Sequence, residues 1–404
     1  MVRIGVIREG KNPPDKRVPL TPAQCAEIMR NHSGVEVVVQ SSQIRAISDE
    51  EYRSAGIEVV DNVNDCSILI GVKEVPVEML IPEKTYLFFS HTFKKQPYNR
   101  DLLRAIVDKK IRLIDYEVLT DESGKRLIGF GRYAGIVGAY NALLAAGKKT
   151  GRYELKPAYQ CEDRKEVERE LAKVNLPDDF KIVLTGKGRV ARGAMEILDF
   201  ANVKKVGSEA FLNTDFNQPA YTQLSVRDYN KKKDGSSFEN REFYEHPERF
   251  DSNFMRFASV ADLYIACHYW DSNAPFIFTR EDAKSAEFNL DFVADISCDI
   301  DGPVASTLRP STIENPLYGY NAESESETDF MNPTSIGVMA VDNLPCELPK
   351  DASEDFGREL VDHVIPELLR ESQSKVIERA TQTDLSGKLT QAYSYLQDYL
   401  DGKE

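Results

Sequence analysis

Short apolar runs alternate with amphipathic segments along the first part of the chain. The runs predict strands at residues 3–7, 35–40, 66–72, 85–89 and 111–115, and the segments between them predict helices at 22–31 and 98–109. Strands that alternate with helices in this way build a parallel sheet covered by helices. The pattern therefore predicts one α/β unit over residues 1–132.

A second α/β unit is predicted to start at residue 180 and to continue to about residue 330, with its first clear strand at 182–184. An uncharged apolar segment, 133–147, lies between the two units. It is shorter than the roughly 20 residues of a membrane span and therefore predicts a buried helix. Several small residues would let this helix pack closely against a neighbour (Gly135, Gly138, Ala139, Ala142, Ala145 and Ala146). Residues 214–251 are polar and without sustained apolar periodicity, which predicts an excursion from the sheet, and residues 331–404 are predicted to be mostly helical.

Composition excludes some classes of partner. The chain has 404 residues, 41% of them hydrophobic, and a formal net charge of −15. An acidic surface repels nucleic-acid phosphates and anionic lipids, so we expect neither partner. Charges at Arg3 and Arg8 interrupt the apolar segment that a signal peptide needs, and we expect a cytoplasmic protein. The six cysteines and the histidines have no metal-ligand spacing, so no metal site is expected.

A glycine-rich turn follows the strand predicted at 182–184. It reads Gly186-Lys-Gly188-Arg-Val-Ala191 and leads into a helical pattern, which fits the dinucleotide-binding motif G-x-G-x-x-A. The first glycine allows the tight turn, the second lets the backbone approach a pyrophosphate, and the small residue lets helix and strand pack. We predict a cofactor site at Gly186, Gly188, Arg189 and Val190; an ordinary tight turn between strand and helix is the alternative.

The residue that selects the cofactor is not evident from the sequence. NAD-binding proteins place an acidic residue about 20 positions after the turn, where it binds the ribose 2′-hydroxyl. Here the next predicted strand, 203–206, is followed by Gly207 and Ser208, and the nearest carboxylate is Glu209. Ser208, with a neighbouring lysine, would suit the 2′-phosphate of NADP. The choice between NAD and NADP stays open.

Candidate catalytic residues stand where predicted strands of the first unit end. Lys73 and Glu74 follow one strand and His91 follows the next. Ligands bind at the carboxyl ends of parallel strands, so a lysine and a histidine there would suit proton transfer at nitrogen and oxygen. Glu117 stands at a third strand end and would tune a neighbouring cation. The alternative for each is an ordinary surface side chain.

Two arginines are candidates for substrate binding. Arg17 follows the first strand and Arg126 follows a turn at Gly124. The planar guanidinium group binds carboxylates through two parallel hydrogen bonds, which suits both residues to an acidic substrate. A solvated surface role is the alternative for each.

Several motifs carry a family resemblance over nearly the whole chain. The segment 17–22, Arg-Val-Pro-Leu-Thr-Pro, resembles the N-terminal signature of the alanine dehydrogenase and transhydrogenase superfamily. Further motifs lie at residues 71–74, 88–92, 112–117, 130–135, 295–299 and 340–345. Together they resemble lysine-forming saccharopine dehydrogenases and the lysine–2-oxoglutarate reductase domains of aminoadipic semialdehyde synthases.

The resemblance implies a reaction and a set of catalytic roles. In this family saccharopine, NAD(P)+ and water give lysine, 2-oxoglutarate and NAD(P)H, reversibly. Lys73 matches the lysine that takes a proton from the secondary amine, and His91 matches the histidine that activates water. Glu74 and Glu117 match the acids that set the charge of that pair. The alternatives are an alanine dehydrogenase-like enzyme and, in another class, a non-catalytic nucleotide sensor.

The resemblance also implies substrate contacts and a domain arrangement. Arg17 and Arg126 match arginines that hold substrate carboxylates. Residues 1–132 and 331–404 would form one discontinuous catalytic domain and residues 133–330 a Rossmann domain, giving two parallel-sheet domains that flank a cleft. Asp342 would then border the nicotinamide, the alternative being a helix-entry turn. The resemblance does not imply an oligomeric state or a physiological direction.

Overall fold

The computed structural model describes residues 2–370 and 374–403. Its strands are β1 Val2–Val6, β2 Val35–Gln40, β3 Glu58–Val60, β4 Ile68–Ile70, β5 Thr85–Phe88, β6 Arg112–Asp115, β7 Lys181–Thr185, β8 Lys204–Val206, β9 Ala220–Leu224, β10 Asn230–Lys232, β11 Phe250–Ser252, β12 Leu263–Ala266, β13 Phe292–Asp295, β14 Leu317–Asn321, β15 Ser326–Thr328 and β16 Ile336–Met339. Its α-helices are α1 Pro22–Asn31, α2 Asp49–Ser54, α3 Arg100–Asp108, α4 Gly131–Thr150, α5 Arg164–Leu171, α6 Arg189–Phe200, α7 Ser208–Asn213, α8 Val226–Tyr229, α9 Asn240–Glu245, α10 Met255–Ala258, α11 Arg280–Lys284, α12 Pro349–His363, α13 Ile365–Leu368, α14 Lys375–Ala380 and α15 Gln397–Asp401.

The chain divides into two compact units. Unit 1 comprises Met1–Phe130 and Pro349–Glu404, and unit 2 comprises Gly131–Leu348. The second boundary therefore lies 18 residues beyond residue 330, where the sequence-based division placed it. The difference arises because β16 pairs in parallel with β13, which makes residues 336–339 part of the unit 2 sheet rather than of a helical tail.

Unit 1 is built on a six-stranded parallel sheet. Its strand order is β3-β2-β1-β4-β5-β6, and each of the five predicted strands is present within a few residues of its expected bounds. Chain order reverses between β1 and β4, which lie side by side. A gap opens above the carboxyl ends of the strands at such a reversal, and ligands bind there in open α/β sheets. The α/β class predicted from the sequence is confirmed.

The C-terminal segment completes the core of unit 1. Phe356 on α12 stacks against Phe130, with ring centroids 4.4 Å apart and an angle of 7° between the rings. Ser353 Oγ accepts a hydrogen bond from the backbone N–H of Val18 at 2.9 Å, and Gln24 donates to the carbonyl of Glu354 at 2.8 Å. Residues more than 300 positions apart thus share one apolar core.

Unit 2 is built on an eight-stranded mixed sheet. Its order is β15-β14-β16-β13-β12-β7-β9-β8, with an antiparallel hairpin, β14 and β15, at one edge. The expectation that residues 214–251 form an excursion is wrong for β9, which pairs in parallel with β7 over five residues and is largely buried. Its sequence, Ala-Tyr-Thr-Gln-Leu, has too few apolar side chains to stand out as a strand. Backbone pairing on both sides stabilises it instead.

Helix α4 packs directly against α6, as its small residues predict. Gly135 lies so close to α6 that an added Cβ would overlap the carbonyl oxygen of Val190. Gly193 on α6 has the same relation to the carbonyl oxygen of Arg132. This crossing of backbones holds the N-terminus of α6 in place beside the glycine turn. Among the described residues, no helix has the length and apolarity needed to cross a membrane.

Candidate active site

Unit 1 places two polar residues across the reversal point of its sheet. Glu9 follows β1 and Lys73 follows β4. The Glu9 carboxylate accepts hydrogen bonds from the backbone N–H groups of Val72 at 2.7 Å and Lys73 at 2.9 Å, which fixes the segment that carries Lys73. Burial raises the pKa of Glu9 to about 7, against the lowering effect of those two bonds. Glu9 was not predicted from the sequence, although it follows a strand end just as Lys73 does.

A buried ion pair lies next to this segment. Arg17 donates from Nε and Nη2 to the two carboxylate oxygens of Asp15, at 3.0 and 2.6 Å, and both side chains are almost fully buried. The guanidinium group also lies 4.1 Å from the centre of the Phe130 ring. Burial alone would raise the pKa of Asp15, but the charge and hydrogen bonds of Arg17 hold it at about 2. Arg17 is thus fixed in position as a permanent cation.

Lys73 is the partly buried cation of this region. Burial lowers the pKa of its ammonium group, and the positive charge of Arg17 lowers it further, while Asp15 opposes both effects. Within the part of the chain that the structure describes, its Nζ makes no hydrogen bond or ion pair. A lysine in these surroundings loses its proton more readily than a solvated one and is suited to act as a base.

His91 stands between two carboxylates. Its Nδ1 lies 2.6 Å from Glu74 Oε1, and its Nε2 lies 3.8 Å from Glu117 Oε2. The His91 backbone is left-handed, with φ of 55°, a strained conformation for a residue other than glycine. Burial would raise the pKa of Glu74, but hydrogen bonds from His91 and Lys11 lower it to about 2. The ionised Glu74 therefore accepts a hydrogen bond from Nδ1–H, which leaves Nε2 to exchange protons with a ligand.

Glu117 is fixed in place by contacts of its side chain and of its backbone N–H. Its Oε1 accepts hydrogen bonds from Arg126 Nη2 at 2.9 Å and pairs with Lys94 Nζ at 3.0 Å, while its backbone N–H donates to the buried carboxylate of Asp115 at 2.8 Å. Burial would raise the pKa of Glu117, but the charge of Lys94 lowers it on balance. Arg126, predicted to bind substrate, is about half exposed and is paired with a catalytic candidate.

Replacing Glu74 with glutamine should lower kcat about tenfold to a hundredfold without changing cofactor affinity. The amide oxygen can still accept a hydrogen bond from Nδ1–H. It lacks the negative charge that stabilises His91 when Nε2 takes up a proton. Steady-state kinetics and a cofactor titration check this result. Glu78→Gln, an exposed glutamate four residues away, is the matched control. An unchanged kcat in Glu74→Gln would remove this carboxylate from the proton relay.

Unit 2 contains a cavity of about 660 Å³ at the glycine turn. Its lining comes from the turn, from the segments after β9 and β12, and from α9 and the segment after β13: Gly186, Lys187, Gly188, Arg189, Val190, Ser225, Val226, Tyr229, Asn240, Tyr244, Cys267, His268, Tyr269, Trp270, Ser297 and Asp299. Four of the six predicted cofactor residues, Gly186, Gly188, Arg189 and Val190, therefore share one cavity. Ser208 and Asp342 do not line it among the described residues.

The glycine turn fits a pyrophosphate group. Gly186 has φ of 100°, and a Cβ there would lie 2.5 Å from the carbonyl oxygen of Cys267, so only glycine is accommodated. Gly188 is the N-cap residue of α6, and an added Cβ there would meet no atom within 4 Å. A helix N-terminus presents unpaired N–H groups and a partial positive charge, which favour an anion. The residues present thus fit the diphosphate of a dinucleotide.

The strand order changes which residues face the cofactor ribose. Because β9, not β8, lies beside β7, the selecting position follows Leu224 and is occupied by Ser225 and Val226. Asp228, the nearest acid, accepts hydrogen bonds from Ser225 and from Ser208 Oγ, at 2.6 and 3.2 Å. Ser208 therefore does not line the cavity and is connected to the lining residue Ser225 only through Asp228. Asp342 is exposed, three residues beyond β16.

Comparisons with known proteins agree with this architecture. Residues 5–137 match the model of the alanine dehydrogenase/PNT N-terminal domain. The chain is 31% identical to the mitochondrial alpha-aminoadipic semialdehyde synthase of Mus musculus, over 98% of this chain and 48% of that protein. The whole chain also matches a solved L-alanine dehydrogenase, with a TM-score of 0.64, 15% identity and complete coverage of both. Residues 5–137 therefore belong to the alanine dehydrogenase/PNT N-terminal domain family.

The proteins similar to this chain carry names that state different activities. A relative from Schizosaccharomyces pombe, 26% identical over 88% of this chain and 90% of its own length, is a saccharopine dehydrogenase [NAD(+), L-lysine-forming]. A solved transhydrogenase from Sinorhizobium meliloti has 12% identity, a TM-score of 0.59 and coverage of 96% and 98%. The two solved structures establish the fold alone. The chain spans less than half the length of the semialdehyde synthases that it matches.

Proposed function

We propose that the chain is an NAD(P)-dependent oxidoreductase acting on a CH–NH bond, which converts saccharopine and water to lysine and 2-oxoglutarate and also runs in reverse. The observation that carries the proposal is Lys73, with its lowered pKa, beside the ionised Glu74 and His91 at adjacent strand ends. The cavity at the glycine turn supports it, and so do the names of the relatives from Mus musculus and Schizosaccharomyces pombe.

Each catalytic candidate has a separate task in this proposal. The bound dinucleotide supplies the hydride acceptor. Lys73 takes the proton of the secondary amine as the C–H bond next to nitrogen is broken. His91, with Nδ1 held by Glu74, then takes a proton from the water that adds to the resulting imine. Glu117 lies near Nε2 and stabilises the positive charge that develops there.

Substrate carboxylates are assigned to Arg17 and Arg126. Saccharopine carries several carboxylates, and a guanidinium group that is already oriented binds one of them at a low entropic cost. Asp15 orients Arg17 and Glu117 orients Arg126. Because the net charge of the chain is negative, most of its surface repels anions. Substrate carboxylates would then bind only beside local cations such as these arginines.

Replacing Arg126 with alanine should raise KM for saccharopine about tenfold, because a charged hydrogen bond to a carboxylate is lost. Steady-state kinetics with saccharopine measure this effect, and Arg30→Ala, an exposed arginine at the end of α1, is the control. Alanine should not be oxidised by either variant or by the wild type. An enzyme that oxidises alanine and is indifferent to Arg126 would be an alanine dehydrogenase instead.

The deciding assay follows oxidation of NADH and of NADPH separately, with lysine and 2-oxoglutarate as substrates. Turnover with either cofactor, dependent on both organic substrates, supports the proposal. Tight nucleotide binding without turnover would indicate a nucleotide sensor. The same pair of assays also decides between NAD and NADP, which Ser225 and Val226 leave open because neither carries a charge.

A further inference from the structure

A buried histidine lines the dinucleotide cavity and has no role in the scheme above. His268 lies two residues after β12, is 8% exposed and borders the glycine turn, since an added Cβ on Gly186 would lie 3.1 Å from its backbone nitrogen. Its Nδ1 is 3.0 Å from Thr185 Oγ1. Its Nε2 is buried and has no hydrogen-bond partner among the residues that the structure describes. One ring nitrogen is therefore bonded within the protein, and the other is buried without a partner in a residue that lines the cavity.

Hydrogen-bond counting fixes the position of the imidazole proton. Thr185 Oγ1 is also 2.9 Å from the hydroxyl of Tyr264, which is fully buried. If Tyr264 donates to Thr185 and Thr185 donates to Nδ1, both hydroxyl protons find acceptors. In the reverse direction the Tyr264 proton has none among its described neighbours. The proton of the neutral ring therefore lies on Nε2, which becomes a donor.

The place of His268 in the sheet indicates which part of the cofactor it faces. A dinucleotide crosses the sheet above its first strand, with the adenosine half over the strands on one side and the other half over the strands on the other side. Here β9 lies on the adenosine side of β7, and β12, which carries His268, lies on the opposite side. On that side of the sheet a dinucleotide offers the oxygen atoms of its diphosphate, its second ribose and its nicotinamide amide.

We propose that His268 is a cofactor-binding residue whose Nε2–H donates a hydrogen bond to an oxygen of the nicotinamide half of the bound dinucleotide, with Thr185 and Tyr264 holding the ring in that tautomer. The inference rests on the proposed function only in its choice of ligand. Burial lowers the pKa of His268 to about 4, so the donor is a neutral imidazole at physiological pH.

The chain provides its own signal for a binding test. Its single tryptophan, Trp270, lines the same cavity, so quenching of tryptophan fluorescence reports occupancy. NADH, NADPH, ADP-ribose and AMP are titrated into the full chain and into His268→Leu, which keeps the volume of the side chain but lacks the donor. We expect affinity for the better of the two reduced cofactors to fall roughly tenfold, the usual effect of losing one neutral hydrogen bond. Affinity for AMP, which lacks the nicotinamide half, should be unchanged.

Two further variants separate binding from structure. His268→Gln, whose amide nitrogen reaches the position of Nε2, should restore most of the affinity, and His246→Leu, a surface histidine of unit 2, should have no effect. The ratio of the wild-type affinity to the His268→Leu affinity should be constant between pH 6 and 8, since the ring does not titrate there. The ADP-ribose titration shows which oxygen His268 contacts. If His268→Leu binds ADP-ribose more weakly than the wild type does, the contact is to the diphosphate or the ribose, and if it binds ADP-ribose equally well, the contact is to the nicotinamide amide.

Other results would overturn the inference. Equal cofactor affinity in His268→Leu and wild type would show that Nε2 contacts no ligand, and an equal loss with AMP would show that the residue only supports the fold. No binding of any dinucleotide to the wild type would instead contradict the proposed function itself.

Discussion

Replacing Lys73 with methionine should lower kcat for saccharopine oxidation about a thousandfold, which is the scale of rate lost when a positioned general base is removed. Methionine has nearly the length and apolar body of lysine, so the buried part of the side chain keeps its packing. The dinucleotide cavity consists of unit 2 residues alone, and we therefore expect the dissociation constant of the cofactor to change little.

The pH profile gives this prediction a second readout. Because burial and Arg17 lower the pKa of Lys73, the wild-type rate of saccharopine oxidation should rise as the amine deprotonates, at a lower pH than a solvated lysine would require. Lys73→Met should lack that rise. Lys16→Met, an exposed lysine near the same loop, should retain both rate and profile. A profile that survives in Lys73→Met would assign the titration, and the base, to another group.

Replacing Gly135 with alanine should destabilise unit 2 by about 3 kcal/mol, although the same substitution in an ordinary helix stabilises it by about 1 kcal/mol. The reversal comes from the crossing of α4 and α6, where the added methyl group would overlap the Val190 carbonyl oxygen and lie 2.8 Å from the Ala194 nitrogen. Because this contact holds the N-terminus of α6, cofactor affinity should fall along with stability.

Thermal unfolding measures the effect. For a unit of this size the expected decrease in Tm is roughly 6 to 12 °C. Gly207→Ala is the matched control, since a Cβ there meets nothing within 4 Å and the Tm should change by no more than a degree or two. A Gly135→Ala protein as stable as the control would mean that the two helices do not approach this closely.

The parts of the fold that could be predicted from the sequence are those with strong local patterns. The strands of unit 1 are short apolar runs followed by polar residues. Lys73, His91 and Glu117 each follow such a strand and therefore lie at the same edge of the sheet. The glycine turn was equally clear, because φ of 100° at Gly186 is a requirement that glycine meets. In both cases local chemistry and tertiary position agree.

The parts that could not be predicted depend on distant partners. Strand β9 is specified by its position between β7 and β8 and not by its own polar sequence. The sequence therefore predicted Ser208, rather than Ser225, as the residue near the cofactor ribose. Glu9 and His268 were passed over for a related reason, because a single polar residue in a loop acquires meaning only when burial and hydrogen-bond partners are known.

Unit 1 consists of two segments that are separated along the chain by unit 2, and this affects how it folds during synthesis. Residues 1–130 leave the ribosome before the rest of this chain, but the aromatic stack between Phe130 and Phe356 cannot close until another 226 residues have been added. All of unit 2 is synthesised between the two segments of unit 1, so it can fold before unit 1 is complete. Until α12 arrives, the incomplete half-domain exposes apolar surface, and it is at this stage of synthesis that a chaperone would be needed most.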